Sequence, residues 1–389
     1  MLQNRFYYLL LLFAMGGCIE EYPIGNIKDY EASITVDGWV YNHSGEQEIK
    51  ISYTTPLSKV VPDPISNCRV EVHDDAGNVF VYAETTPGTY VHFYRENDIQ
   101  AGRLYSLTFS TPENKIYESE QEKMLPAPQA SNAYYELEEI PTSDENVNFF
   151  GLQFYTDVNI QANEAKYFRI EIVETYEFHS LFREVFYLDS RTSLTELSED
   201  SIEPICFITK RIPDIFLIES NNVEETKVPG FPLHFVSNET QRLLNGYSLE
   251  LRFLPISENA YQYWNNHKQI LEESGGLFET QPPASYTNIT CINDPDELVV
   301  GFFGVSGISS SRLMVKPGVL PEYQISPYCG PSLVQLGFIL SVPVEDPMYF
   351  IYYPDPDGLL ALHLIEKRCF NCLEFYGSTI EKPDYWIFK

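Results

Sequence analysis

The stretch Cys68-Arg69-Val70-Glu71-Val72-His73-Asp74-Asp75-Ala76-Gly77-Asn78-Val79-Phe80-Val81-Tyr82 decides the fold class. Its first part alternates polar and apolar residues with the period of two that belongs to a half-buried strand. Asp74 to Asn78 then supplies turn chemistry, because Asp and Asn bond their own backbone and Gly accepts a positive φ. Val79-Phe80-Val81-Tyr82 returns with β-branched and aromatic residues, which suit a pleated surface. Residues 68–82 therefore predict a β-hairpin. Outward from it, the pattern recurs at 34–40, 48–53, 88–93 and 103–109. That makes about seven short strands at the spacing of an antiparallel sandwich. An immunoglobulin-like β-sandwich is expected over residues 30–126. His73 and His92 fall at alternating strand positions and read as solvent-facing or edge residues.

Pro126-Ala127-Pro128 marks a linker. Beyond it a larger β-rich domain is expected over 127–389, with strands near 148–156, 166–173, 246–254, 298–303, 310–315, 337–342 and 348–353. Residues 186–246 mix acidic loops with apolar pieces and give no clean period. One main helix is expected over 257–274. Ser257 is a good N-cap. Ala260, Trp264, His267 and Leu271 fall on one helical face, and Gly275-Gly276 stops the helix. Trp264 reads as core. The fold class is mostly β: an N-terminal immunoglobulin-like sandwich plus a larger β-rich domain with one main helix.

The formal net charge is −31, so nucleic acid is not an expected partner, since phosphate neutralisation needs Lys and Arg. The acids are dispersed along the chain, as on a solvated surface. With 28 Tyr and 25 Phe, the aromatic content reads first as strand and core filling and second as a binding face.

The N-terminus carries an address. Arg5 is followed by the apolar run Phe6 to Met15, about ten residues, the length of a signal-peptide core and too short to cross a bilayer. Gly16-Gly17-Cys18 then resembles the lipobox of bacterial lipoproteins. Residues 1–17 are expected to be a lipoprotein signal peptide, and Cys18 the residue acylated with palmitate-type chains. Residues 18–29 read as an acidic tether. Two or more acyl chains hold a protein stably on a membrane. Glu20 and Glu21 resemble the surface-export signal of Bacteroidota lipoproteins. Outer-membrane localisation is expected, lipid-anchored and facing the cell exterior.

Six cysteines remain after Cys18: Cys68, Cys206, Cys291, Cys329, Cys369 and Cys372. An even number in an exported chain makes all six disulfide candidates, with connectivity open. Cys369-Phe370-Asn371-Cys372 is a CxxC that lacks the thioredoxin-like βαβ setting of a redox motif, so structural bridging ranks first. Asp355-Pro356-Asp357-Gly358 is a fragment of a calcium loop without its later ligands and reads as a tight turn. No metal site and no cofactor are expected. There is no GxSxG elbow, HExxH, phosphate loop or dinucleotide fingerprint, and no catalytic residue is assigned.

An ordered series of residues resembles a known family: Tyr261-Gln262-Tyr263-Trp264, Gly276-Leu277-Phe278, Pro282-Pro283-Ala284, Asn288-Ile289 and Gly301-Phe302-Phe303. The tail adds Cys369, Cys372, Gly377 and Lys382-Pro383-Asp384-Tyr385-Trp386, while Ile380 departs from the polar residue expected there. These are similar to the Bacteroidota outer-membrane lipoproteins catalogued as domain of unknown function 4249, typically encoded beside TonB-dependent receptors. The resemblance implies a non-catalytic accessory or binding component of a TonB-dependent uptake system. Its expected partners are the outer membrane, a TonB-dependent receptor and a nutrient ligand of unknown identity. A secreted hydrolase of glycans or peptides, marked by a carboxylate pair in a cleft, is the alternative. A structural or adhesive surface protein is the other, marked by an exposed apolar patch.

Overall fold

The period of two is realised as strands over residues 34–123. They are β1 (Ile34–Tyr41), β2 (Gly45–Tyr53), β3 (Asp63–Pro64), β4 (Arg69–Asp74), β5 (Val79–Thr86), β6 (Thr89–Tyr94), β7 (Leu104–Ser110), β8 (Ile116–Ser119) and β9 (Glu122–Lys123). This computed structural model describes residues 32–56, 59, 61–141, 148–161, 165–190, 193–220, 224–273, 287–325, 328–334 and 348–388. The signal peptide and tether, the end of the helix at Gly275-Gly276, the motifs at 276–284 and the strand expected at 337–342 lie outside the described residues.

The hairpin at 68–82 forms as read. Asp74 Oδ1 accepts from the backbone N–H of Ala76 at 2.9 Å and of Asn78 at 2.8 Å. Gly77 takes φ +88°, a conformation that carries little cost without a Cβ. Strand β5 then changes sheets. Its first half, Val79 to Tyr82, pairs with β4, and from Ala83 it pairs with β6. The chain thereby folds into two layers around one core. Tyr90, Tyr94, Tyr105 and Tyr117 are fully buried there. Their phenols stay satisfied: Tyr82 and Tyr94 share a hydrogen bond at 3.0 Å, and Tyr90 donates to the Ile65 carbonyl at 2.7 Å. Core filling thus accounts for much of the tyrosine excess, each buried ring contributing about 2–3 kcal/mol.

The later elements are β10 (Ala133–Pro141), β11 (Asn148–Ile160), β12 (Tyr167–His179), β13 (Phe186–Ser190), β14 (Ser193–Glu196), β15 (Ile205–Arg211), β16 (Phe216–Glu219), β17 (Thr226–Ser237) and β18 (Tyr247–Ile256). After them come helix α1 (Glu258–Glu273), β19 (Ile289–Cys291), β20 (Val299–Ser306), β21 (Ser309–Val315), β22 (Ser332–Leu333), β23 (Tyr349–Pro354), β24 (Leu360–Ile365) and β25 (Ser378–Thr379). The chain is mostly β with one main helix, as expected.

Two of these strands return to the N-terminal sandwich. β20 pairs in parallel with β1, Val36 opposite Gly301, and β19 pairs with β8, Cys291 opposite Tyr117. The sandwich expected from residues 30–126 alone is therefore completed by residues 289–306. Local alternation revealed these strands but carried no information about a partner more than 170 residues away.

The six-stranded sheet runs β21-β18-β12-β15-β25, with β16 also on β12. One face of it packs on the three-stranded sheet β10-β11-β17 through a core that includes Phe154, Phe168, Ile170, Ile172 and Phe253. A five-stranded sheet, β14-β13-β23-β24-β22, stands over a smaller core. Helix α1 is capped as read, Ser257 Oγ accepting from Ala260 N–H at 3.1 Å. Ala260 and Trp264 join Trp39, Tyr167, Leu254 and Phe302 between the sandwich and the six-stranded sheet. Leu271, expected on the same face, is 62% exposed, in the last turn of the helix.

Two disulfides form, Cys206–Cys372 and Cys329–Cys369, with Cα atoms 5.8 and 5.7 Å apart. The two cysteines of the CxxC thus each bridge elsewhere. Of the six candidates four are paired, and Cys68 and Cys291 are free thiols. The sheet explains it. Cys291 lies opposite Tyr117, Tyr117 opposite Phe109, and Phe109 opposite Val70 beside Cys68. Three strand spacings, about 14 Å, separate the two backbones, and a disulfide spans about 4.4–6.8 Å between Cα atoms.

Candidate functional site

Alternation along β1 sends Val36 and Val40 into the sandwich core and turns Asp37, Trp39 and Tyr41 outward. On β2, Glu46, Glu48 and Lys50 turn the same way, with Lys50 opposite Asp37. The six-stranded sheet presents its outer face to them. Phe168, Ile170 and Ile172 of β12 face the core, so Arg169, Glu171 and Val173 face outward. Register places Arg252 of β18 opposite Glu171, Arg211 of β15 and Glu250 of β18 opposite Val173, and Arg312 of β21 opposite Glu250. Between these faces lies a cleft of about 540 Å³ whose lining includes Asp37, Tyr41, Glu46, Glu48, Lys50, Arg211 and Arg252.

The floor beneath is a buried ion pair. Arg169 Nη1 bonds Glu171 Oε1 at 2.9 Å, and both residues are buried. The Arg169 guanidinium lies 3.5 Å over the Trp264 ring, which together with the ion pair offsets its desolvation. The Tyr41 hydroxyl donates to the same Glu171 oxygen at 3.4 Å. Burial and Glu171 hold that phenol well above its ordinary pKa, so it remains a donor. Glu171 Oε2 takes no hydrogen bond among the described residues, and Arg211 Nη2 stands 3.5 Å from it.

The walls differ in sign. Arg252 forks onto Glu250 at 3.1 and 3.4 Å, and Arg312 reaches the same carboxylate at 2.7 Å while stacking on the Tyr385 ring. The sheet side therefore sets Arg169, Arg211, Arg252 and Arg312 against Glu171 and Glu250, a local cationic surplus in an acidic chain. On the sandwich side Lys50 Nζ pairs with Glu48 at 2.7 Å, which leaves Asp37 and Glu46 as surplus acids.

A second pocket of about 410 Å³ opens beside Tyr176, Phe178, Ile208 and Phe375, with Glu174 and Arg242 at its base. Its polar groups answer one another. Glu174 accepts from Arg242 at 3.1 Å and from the Tyr247 hydroxyl at 3.0 Å. His234 Nε2 accepts from Arg242 at 3.1 Å, and burial together with that guanidinium pushes the imidazole down to about 4. This cluster is neutral as a whole and internally satisfied, so the first cleft is the candidate site.

Cys18, Glu20 and Glu21 lie outside the described residues. His92 Nδ1 sits 2.8 Å from the Val81 carbonyl, and His73 3.7 Å from Glu71. Asp355 Oδ1 accepts from the N–H groups of Asp357 and Leu359, closing the 355–358 turn on itself. Among the described residues, no group of three or more His, Cys, Asp or Glu could hold a metal ion. The arginines of the cleft were missed in the sequence. A signal was there: Arg169-Ile170-Glu171 and Glu250-Leu251-Arg252 put opposite charges two apart inside otherwise apolar strands, which aims them at one face.

Sandwich, six-stranded sheet and charged cleft together define a multi-sheet β protein with a ligand-sized recess between two sheets. Residues 19–312 match the family model described as Domain of unknown function (DUF4249), and the chain belongs to that family. No curated protein matches it. Among solved structures it is similar to Escherichia coli alpha-2-macroglobulin activated by porcine elastase, at 10% identity and a TM-score of 0.18. That match covers 90% of this chain and 27% of the other, and a likeness at this level carries no argument.

Proposed function

We propose that the protein is a lipid-anchored, non-catalytic binding component of a TonB-dependent uptake system, facing the cell exterior. The observation that carries the binding role is the cleft between β1, β2 and the six-stranded sheet, where buried Arg169 and Glu171 underlie walls of opposite surplus charge. Support for the anchor comes from the apolar run before Gly16-Gly17-Cys18, and for export from Glu20-Glu21. Membership of the family supports the transporter setting. In this role the sandwich and sheet form one wall each of a recess that captures a nutrient and hands it to a β-barrel. The test is affinity capture of the tagged protein from detergent-solubilised outer membranes. A TonB-dependent receptor should co-purify in near-equal amount, and capture of the protein alone contradicts the proposal.

A further inference from the structure

We infer that the cleft binds a small zwitterion, of the class of short peptides with both ends free. This rests on the binding role proposed above and names its ligand. Arg211 and Arg252 stand on the two strands that flank β12, offset by two residues and so about 12 Å apart at the backbone, and both side chains line the cleft. A carboxylate there would meet the Arg211 guanidinium, whose planar fork suits bidentate pairing, while Arg252, already held on Glu250, adds positive charge beside it. Arg211 is the less committed of the two, although Tyr41 and Asp37 also act on it. Its side chain is 49% exposed, and its one ion-pair contact among the described residues is Glu171 at 3.5 Å, longer than a charge-assisted hydrogen bond.

Across the cleft, Asp37 and Glu46 supply the anionic surplus that an ammonium group needs. The opposite charges of the two walls, rather than either wall alone, set the ligand class. A polyanion would meet Asp37, Glu46 and Glu48 and be repelled. A neutral ligand would bury both sets of charges unanswered, which is costly. A molecule with its carboxylate toward β15 and β18 and its ammonium toward β1 and β2 answers both. The volume of about 540 Å³ accommodates a few residues, and the Tyr41–His43 ring stack, 6.0 Å between centroids, offers a flat contact for a side chain.

The experiment is native mass spectrometry and titration calorimetry on the purified mature protein, with a tripeptide library in three forms: unmodified, N-acetylated and C-amidated. Unmodified tripeptides should bind, and each blocked form should bind at least about tenfold more weakly, the loss of one charge-assisted contact. Arg211→Gln should weaken binding by a similar factor. Glu46→Gln, on an exposed strand position, should do the same, while circular dichroism and thermal midpoint stay as in the wild type. Absence of tripeptide binding, equal binding of blocked and unblocked forms, or unchanged affinity in both variants overturns the assignment. Peptide binding without a co-purifying receptor leaves the ligand class standing and removes the transporter role. Receptor capture without peptide binding does the reverse.

Discussion

Glu122 shows how one buried carboxyl couples the two large parts of the chain to pH. It is 3% exposed, and burial raises its pKa to about 7, against hydrogen bonds from Ser257 and Asn288 and with help from Glu120. Ser257 caps α1, and Asn288 clamps β20 by a two-way bond with Phe303 at 2.8 and 2.9 Å. The folded pKa lies above the ordinary 4.5, so the native state holds the extra proton. Its contribution to stability is full below pH 4.5 and is lost as pH rises to 7, about 3 kcal/mol in all. Glu122→Gln should therefore leave the urea midpoint nearly unchanged at pH 4.5 and raise it at pH 8. An equal shift at both values would rule out this titration. Arg169 makes a second prediction at this scale. Arg169→Met leaves Glu171 buried without its cation and should cost about 3–5 kcal/mol, read as a fall in thermal midpoint. The double variant Arg169→Met with Glu171→Leu should recover most of it.

Elements were legible where their cause was local. The hairpin at 68–82, the cap at Ser257 and the strands at 247–256 and 309–315 depend on turn residues, caps and alternation, all of which are written in a few neighbouring residues. Residues 186–246 were opaque because β13 to β17 are short or bulged and their apolar faces are set by partners in other sheets. The cleft was opaque for the same reason: strands more than 100 residues apart bring Asp37, Arg211 and Arg252 together. Gly301 is the sharpest case. At φ +111° it sits against the Val36 backbone, where a Cβ would collide with the Val36 carbonyl. Gly301→Ala should break the β1–β20 ladder, with fast hydrogen exchange spreading along both strands, whereas protection equal to the wild type would contradict the close approach. The small core under the five-stranded sheet counts Cys329 and Cys369 among its few buried residues. Replacing both by Ala should cost about 2–4 kcal/mol and loosen β23 and β24 first, as read by exchange protection there.

At the scale of the whole molecule, the acidity of the chain and the charge of the cleft stand in contrast. The formal charge is −31, and the gathering of arginines on one sheet face makes the cleft the exception to that field. A free thiol pair in the sandwich and two disulfides in the second half divide the covalent staples unevenly, so reducing agents should unfold the C-terminal sheets before the sandwich. The proposed function places the protein outside the cytoplasm, held there by lipid on Cys18. The direct measurement is the intact mass and membrane partition of the natural chain beside Cys18→Ser. The expected result is a chain beginning at residue 18, heavier by its acyl groups and confined to the outer-membrane fraction, with Cys18→Ser released from it. An unmodified N-terminus, or a serine variant that stays on the membrane as before, contradicts it.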